Sequence, residues 1–508
     1  MARVAFCQDV MVEYMGFMSI SAVLKKAGHT VELFFDEQTN EERFIEQLAR
    51  FQPDIIGFSI LSPSAPWAVR VGEMAKAATG AITICGNVHA ITAPQIIEHP
   101  GMDIVCIGEG EMCMLELCSA VDHGEDFSRI EGLWVKTEDG SVVRNCARRE
   151  LVDMDALPFV DRGLYNKYAF FRNSAYLRVM TGRGCPFRCS FCTNPILADH
   201  YGGAKTYIRK QTPERAIREI ESLVANHPHK VSFLFFIDEV FWVKNEWLRE
   251  FLALYRDRIR IPFDANFRFG AILENDVKLL ADAGAAILNV AVESGDEKQR
   301  KGIMNKPVSD EHIFQVTTWM RKYGIKFGSS CFFGLPGDTF QDHVERLGFY
   351  RKLNPTYLWT TFFQPYPGLA LTQNEDIKKY TPESKAFEVT LHHDMYLDLP
   401  DRDRLVNLKK VYFLCTKFPA LAPLLLWLTK FNIPFLFDVL FMAHFSYYIF
   451  RFERVSLFQW LVHVKVFALN PLLRRKQPLQ NIGRPFGIPW RKKALKDQAR
   501  NEAQTKVV

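Results

Sequence analysis

From the N-terminus to about Val121, short apolar runs rich in β-branched residues alternate with stretches whose apolar positions recur every three or four residues. The runs RVAFC, TVELFF, DIIGFSI, AITICG and DIVCIG read as strands, and SISAVLKKAG and NEERFIEQLARF as helices between them. Such alternation predicts a doubly wound parallel sheet, a Rossmann-like layer. A polar connector follows, with turn signals at EDGS and in ALPFVDRG around Pro158, and predicts a small β-hairpin. Alternation resumes near Tyr176 with YLRVMTG, SFLFFID, FDANFRFG, ILNVAVES, FGSSCFFG and YLWTTFFQPYP, separated by helical segments such as PERAIREIESLVANH and NDVKLLADAG. Six βα units of this kind predict a partial parallel barrel. The fold class is therefore α/β, divided into residues 1–130, a linker with hairpin at 131–173, a barrel at 174–398 and a mainly helical C-terminal region at 399–508.

That last region changes the pattern. FPALAPLLLWLT and FNIPFLFDVLFMAHFSYYIF are long and aromatic, but Lys417, Lys430, Asp438 and His444 interrupt them and Pro419, Pro423 and Pro434 break them, so no clean 18-residue span is present. Two readings follow. In the favoured one, these helices cap the barrel; in the other they form a peripheral surface at a membrane interface, with Arg474, Arg475, Lys476, Arg491, Lys492 and Lys493 facing anionic lipid. The final ALKDQARNEAQTKVV reads as a frayed helix or tail.

Composition narrows the function classes. At 508 residues, 48% apolar and 24% charged, the chain is globular and long enough for two to four domains. Its 63 basic and 58 acidic residues leave a net charge of +5, too mild to make nucleic acid the main partner. Eleven cysteines, an odd count, and an N-terminus (MARVAFCQDV) without an export pattern point to a reduced, cytoplasmic setting rather than a disulfide framework; the membrane reading would place the chain on the inner face.

Candidate chemistry begins at Met180, in MTGRGCPFRCSFCTNP, where Cys185, Cys189 and Cys192 fall within eight residues. A structural zinc site closes a shell of four ligands, and CxxxCxxC is a poor match to its paired CxxC spacing. Cysteine thiolates also hold iron-sulfur clusters, and a cubane held by three of them leaves one iron open to another ligand. Ordinary buried thiols are the alternative, but the loop is rich in Gly, Arg, Pro and Thr.

This loop resembles that of the radical SAM superfamily, which follows the first strand of a partial barrel and carries an aromatic residue before the last cysteine, here Phe191. The resemblance implies that Cys185, Cys189 and Cys192 ligate a 4Fe-4S cluster whose open iron chelates S-adenosylmethionine, and that reductive cleavage gives a 5′-deoxyadenosyl radical. It further implies cofactor contacts from the acidic pair Asp238 and Glu239, from Arg268, from Glu293 and Ser294, and from Lys306. FFGLPGDTF (Gly334, Pro336, Gly337) and PYPG (Pro365, Pro367, Gly368) match the ends of the fifth and sixth strands. Each acidic residue taken alone also fits a solvated or capping role. Cys331 is a weak candidate hydrogen donor, with a buried apolar role as the alternative.

In the first domain, ligands belong at the carboxyl ends of the strands. There the chain resembles cobalamin-binding domains: Gly16, then Ser59, Ile60 and Leu61, then Gly86 and Asn87, with His89 and the run Gly108, Glu109, Gly110 and Glu111 following. Glu13 stands where such domains place the cobalt-ligating histidine, so the resemblance implies cobalamin without a lower imidazole. A Rossmann-like domain holding no corrin is the alternative. Together the two resemblances indicate a cobalamin-dependent radical SAM enzyme, similar to hopanoid methylases and the anaerobic magnesium-protoporphyrin monomethyl ester cyclase. The implied cofactors are a 4Fe-4S cluster, S-adenosylmethionine and cobalamin, with an electron donor such as flavodoxin or ferredoxin. The implied reaction is methyl transfer to an unactivated carbon of a small apolar substrate, lipid or tetrapyrrole-like. A cyclase-like oxidation or rearrangement is the runner-up, and an N-terminal domain that only recognises a partner is the third reading.

Overall fold

The computed structural model describes residues 1–36, 41–148, 150–241, 245–270, 272–382 and 395–448, and beyond these 450, 457, 460 and 461. The basic residues at 474–476 and 491–493 and the final tail lie outside the described residues.

The first layer is built from strands β1 (Arg3–Gln8), β2 (Thr30–Phe35), β3 (Ile55–Ser59), β4 (Ile82–Gly86) and β5 (Ile104–Cys106), all parallel in the order β2-β1-β3-β4-β5. Alternation along each strand divides its side chains between two cores. Val4 and Phe6 of β1 pack with helices α1 (Met15–Lys26) and α5 (Gly110–His123); Ala5 and Cys7 pack with α2 (Glu41–Phe51) and α3 (Ala65–Thr79). This is the doubly wound layer expected. A short helix, α4 (Val88–Thr92), follows β4. The hairpin of β6 (Leu133–Lys136) and β7 (Val142–Arg144) pairs antiparallel onto β5, so the sheet continues through residue 144 as seven strands.

The second sheet begins with β8 (Tyr176–Val179). A small antiparallel pair, β9 (Gly182–Arg183) with β10 (Arg209–Lys210), brackets the cysteine loop. Then come β11 (Phe233–Phe236), β12 (Phe263–Phe267), β13 (Ala285–Glu293), β14 (Lys326–Phe333) and β15 (Tyr357–Phe362), parallel to β8 and in chain order across the sheet. These are the six expected units, forming a curled half-barrel rather than a closed ring. Local signals explain the helices between: Thr212 and Thr339 cap Pro213–Ala225 and Phe340–Leu353, the latter in a reciprocal box with Asp342.

Three further helices, Arg402–Lys417, Ala422–Leu428 and Pro434–Tyr448, end the described chain. The first precedes the two aromatic runs and packs on the barrel. It lies against β15 and the helix Phe340–Leu353, with buried Tyr412 donating its hydroxyl to the His343 carbonyl at 2.8 Å. Among the described residues no helix is long and apolar enough to cross a membrane.

Candidate functional site

The carboxyl ends of β3, β4 and β5 face the half-barrel across a cavity of about 420 Å³. Gly16, Ser59, Gly86 and Asn87 line it from the first domain, and Met180, Ile237 and Glu239 from the second. A methyl group placed on Gly16 would meet nothing within 4 Å, so this wall is kept open. Asn87 has φ 76°, a strained value for a residue with a side chain. It is held there because its Oδ1 accepts the Val88 amide and its Nδ2 donates to the Ser59 hydroxyl at 3.0 Å.

Glu13 also lines the cavity, but its carboxylate is engaged by the guanidinium of Arg162, both side chains nearly buried. Leu61 stands exposed and outside the cavity lining. His89 is likewise off the wall: it is buried, its Nδ1 lies 3.0 Å from the Ser62 hydroxyl, and burial pulls its imidazole down to about 4, so the ring is neutral.

The GEGE run forms a charged hinge between the domains. Arg183 of β9 reaches Glu109 at 2.9 Å and Glu111 on the opposite guanidinium nitrogen, while Arg209 of β10 also binds Glu109. Burial by itself would raise the Glu111 carboxyl. The Arg183 charge and the Ser19 hydroxyl, at 2.7 Å, outweigh it and hold the group below its ordinary value. Arg183, Arg209, Arg162, Tyr201 and Tyr207 escaped sequence reasoning. Their only signal was position: Arg183 sits two residues before the first cysteine, and the tyrosines lie in a segment without periodicity.

Gly108 adopts φ +123°, and a Cβ there would lie 2.6 Å from the Tyr201 hydroxyl on the cavity wall. Gly108→Ala is expected to cost about 1–3 kcal/mol from backbone strain and overpacking. Calorimetry should show the lower thermal midpoint and gel filtration a weakened hold on cobalamin; an unchanged midpoint with full retention contradicts this.

Beyond the cavity lies the cysteine loop. Cys189 is buried and Cys185 and Cys192 half-buried. The loop is pinned from outside: the Ser190 amide donates to the Met304 carbonyl at 3.1 Å, and the Asn305 side chain to the Arg188 carbonyl at 2.8 Å. Arg268 donates to the Cys189 sulfur at 3.2 Å and lies over the Phe187 ring, while its buried Nε has no hydrogen-bond partner among the described residues. Asn194 donates to Cys192 at 3.6 Å and accepts from the Tyr207 hydroxyl at 3.2 Å, linking cavity wall to cysteine loop. No three His, Cys, Asp or Glu side chains among the described residues are grouped as ligands of one metal ion.

Glu293, the last residue of β13, has φ 72° and pairs with buried Lys306 at 3.5 Å. Phe191 meets Phe332 edge-on at 5.2 Å, beneath the Lys306 ammonium. The remaining candidates are engaged by other groups of the protein. Asp238 is filled by the Thr181 amide and hydroxyl and by Lys210 at 2.6 Å, so it binds strand ends together, and only Glu239 of the acidic pair faces the cavity. Burial pushes the Glu239 carboxyl upward. Ser294 donates to the Gln299 side chain at 2.6 Å and shapes a turn. Cys331 is no hydrogen donor to the barrel interior: it is fully buried on the face toward Tyr350 and Arg346 of the outer helix, and burial pushes its thiol to about 12.

Comparison with known proteins agrees with this geometry. Residues 9–117 match the B12 binding domain and residues 179–349 the radical SAM superfamily. The chain belongs to the cobalamin-dependent radical SAM enzymes. It is 27% identical over 362 residues to the anaerobic magnesium-protoporphyrin IX monomethyl ester cyclase of Rubrivivax gelatinosus, covering 68% of this chain and 63% of the relative. It is 22% identical over 390 residues to the hopanoid C-3 methylase of Methylococcus capsulatus, covering 74% and 72%. In fold it is similar to the radical S-adenosylmethionine methyltransferase TsrM of Kitasatospora setae, solved with cobalamin and a 4Fe-4S cluster bound, with TM-score 0.60 and 19% identity over 73% of this chain and 74% of that one. The family's cofactors are the 4Fe-4S cluster, S-adenosylmethionine and cobalamin. The residues present fit them: three thiols beside the unpaired Arg268 Nε suit the cluster, and a wall left open at Gly16 suits a corrin.

Proposed function

We propose that this protein transfers a methyl group to an unactivated carbon of an apolar substrate, lipid or tetrapyrrole-like. One observation carries the reading: residues of the B12 binding domain and of the half-barrel line a single cavity, and its wall residue Tyr207 is tied through Asn194 to Cys192 of the cysteine loop. When bound, cobalamin supplies a transferable methyl group, and S-adenosylmethionine on the cluster supplies one-electron hydrogen abstraction. The chain's own residues bind and exclude. Cys185, Cys189 and Cys192 would hold the cluster, with Arg268 donating to the Cys189 sulfur and the Lys306–Glu293 pair within electrostatic reach of the thiols. Glu13 is kept from the corrin by Arg162. Phe17, Ile20, Met114, Met180 and Ile237 give the wall an apolar character, and Arg183 and Arg209 together neutralise Glu109 and Glu111, which supports an apolar substrate over a charged metabolite. A one-electron donor of the flavodoxin or ferredoxin kind would complete the system.

A second reading, oxidative ring closure or rearrangement, is favoured by the similarity to the magnesium-protoporphyrin cyclase. An anaerobic assay with methyl-labelled S-adenosylmethionine and an extract of lipids and pigments separates them. Methyl transfer is expected to release both 5′-deoxyadenosine and S-adenosylhomocysteine, with label in the organic phase. The cyclase-like reaction releases 5′-deoxyadenosine without matching S-adenosylhomocysteine, and label confined to water-soluble product overturns the apolar-substrate clause.

A further inference from the structure

The C-terminal helices are built inside out. Of the fifteen large hydrophobic side chains exposed among the described residues, twelve fall between Phe418 and Leu461, so apolar exposure is concentrated in one part of the chain. Phe435 is 71% exposed, Leu424 55% and Trp427 52%. Two of the polar groups that interrupt these runs in sequence, Asp438 and His444, turn the other way. Asp438 pairs with buried Lys410 at 2.5 Å, and buried His444 lies 3.0 Å from the Lys410 carbonyl and 3.3 Å from the Tyr357 hydroxyl. On the helix Pro434–Tyr448 the inward face is Phe437, Phe441, His444 and Tyr448, while the outward face carries Phe435 and Val439. A helix apolar on both sides is at home in a core or in lipid.

We propose that this face is a monotopic membrane-binding surface whose partner is an anionic lipid bilayer. From Phe418 to Phe437 the only charged residue is Lys430, which is exposed. Protein interfaces of ordinary size use about ten hydrogen bonds, and this stretch offers almost no outward group to make them. Hydrocarbon asks for none. The helix Ala422–Leu428 has seven residues, too short to span, so it lies in the interfacial plane with Trp427 as an amphipathic anchor. Charge complements the choice: residues 462–508 contain eleven Lys and Arg against two Asp and Glu, which favours a negatively charged leaflet. Exposed apolar area on this scale is unusual for a surface that only meets water. The inference stands apart from the reaction proposed above, since it requires no turnover.

Flotation of the full chain with vesicles tests it. The protein is expected to rise with vesicles of phosphatidylcholine containing phosphatidylglycerol, less with phosphatidylcholine alone, and less again as salt is raised. The triple variant Leu424→Glu, Trp427→Glu and Phe435→Glu should bind about tenfold more weakly or worse, as charges entering the membrane interface would require, while its thermal midpoint stays near that of the parent. If the triple variant fails to fold, Phe435→Asn alone is the substitute and should show a smaller loss in the same direction. A parent protein that stays at the bottom with both vesicle types overturns the proposal. Sedimentation velocity then tests the alternative occupant: a dimer dispersed by the variant means that a second copy covers the face.

Discussion

Replacing Cys185, Cys189 and Cys192 together with Ala is expected to abolish iron binding and S-adenosylmethionine cleavage while leaving cobalamin retention intact. The separation follows from the architecture. The two cores of the first sheet are built chiefly from residues before 136, with Leu164, Tyr165 and Phe171 added, and none of the three cysteines belongs to them. The cysteine loop is instead pinned by residues at 303–305 and braced by Arg268, none of which lines the cavity. Iron and sulfide content, visible absorption and 5′-deoxyadenosine release measure the effect. Full cleavage by the triple variant would sink the cluster assignment.

Arg183→Met should be the most damaging single change at the domain contact. It leaves Glu109 and Glu111 facing each other's charge with only Arg209 in reach of one of them. Breaking a buried pair from one side costs about 3–5 kcal/mol. The pH dependence gives the sign. In the parent protein the Glu111 carboxyl is lowered, so its contribution is present above the unfolded value of about 4.3 and lost as pH falls through the lower folded value. Without Arg183, burial is opposed only by the Ser19 hydroxyl and a backbone hydrogen bond, and the carboxyl rises. Stability then falls as pH climbs toward neutrality, where the parent is insensitive. Thermal unfolding of the apo chain from pH 4 to pH 7 reads the difference, and parallel pH profiles for the two proteins would contradict the role given to Arg183.

The doubly wound layer, the six-unit half-barrel and the cysteine loop were legible because each is written locally, in alternation and spacing. What failed was orientation. Asp238 and Glu239 are adjacent at a strand end, where neighbours point opposite ways, and sequence cannot say which one meets the cavity. Cys331 and Phe332 present the same problem one strand over: Phe332 faces Phe191 and Cys331 faces the outer helix. The Arg183 network was hidden for a different reason, since it joins residues more than 70 positions apart across two domains. Sequence left the runs from Phe418 onward between cap and membrane surface; the helix before them, Arg402–Lys417, packs on the barrel, and the runs themselves bury Phe437, Phe441 and His444 while exposing Leu424, Trp427 and Phe435. Only the direction of Asp438 and His444 separates the two, and direction is set by Lys410, a partner on another helix.

The central claim is that the cavity between sheet and half-barrel would hold cobalamin without a protein imidazole on cobalt, because Glu13, which stands in sequence where the ligating histidine would, is committed to Arg162 and the histidine of the motif, His89, is turned to Ser62. Electron paramagnetic resonance of the Co(II) state in anaerobically reconstituted protein tests this most directly. The expected spectrum is that of a corrin retained through gel filtration and showing no superhyperfine splitting from a histidine nitrogen. Histidine splitting, or a protein that emerges without corrin, would contradict it.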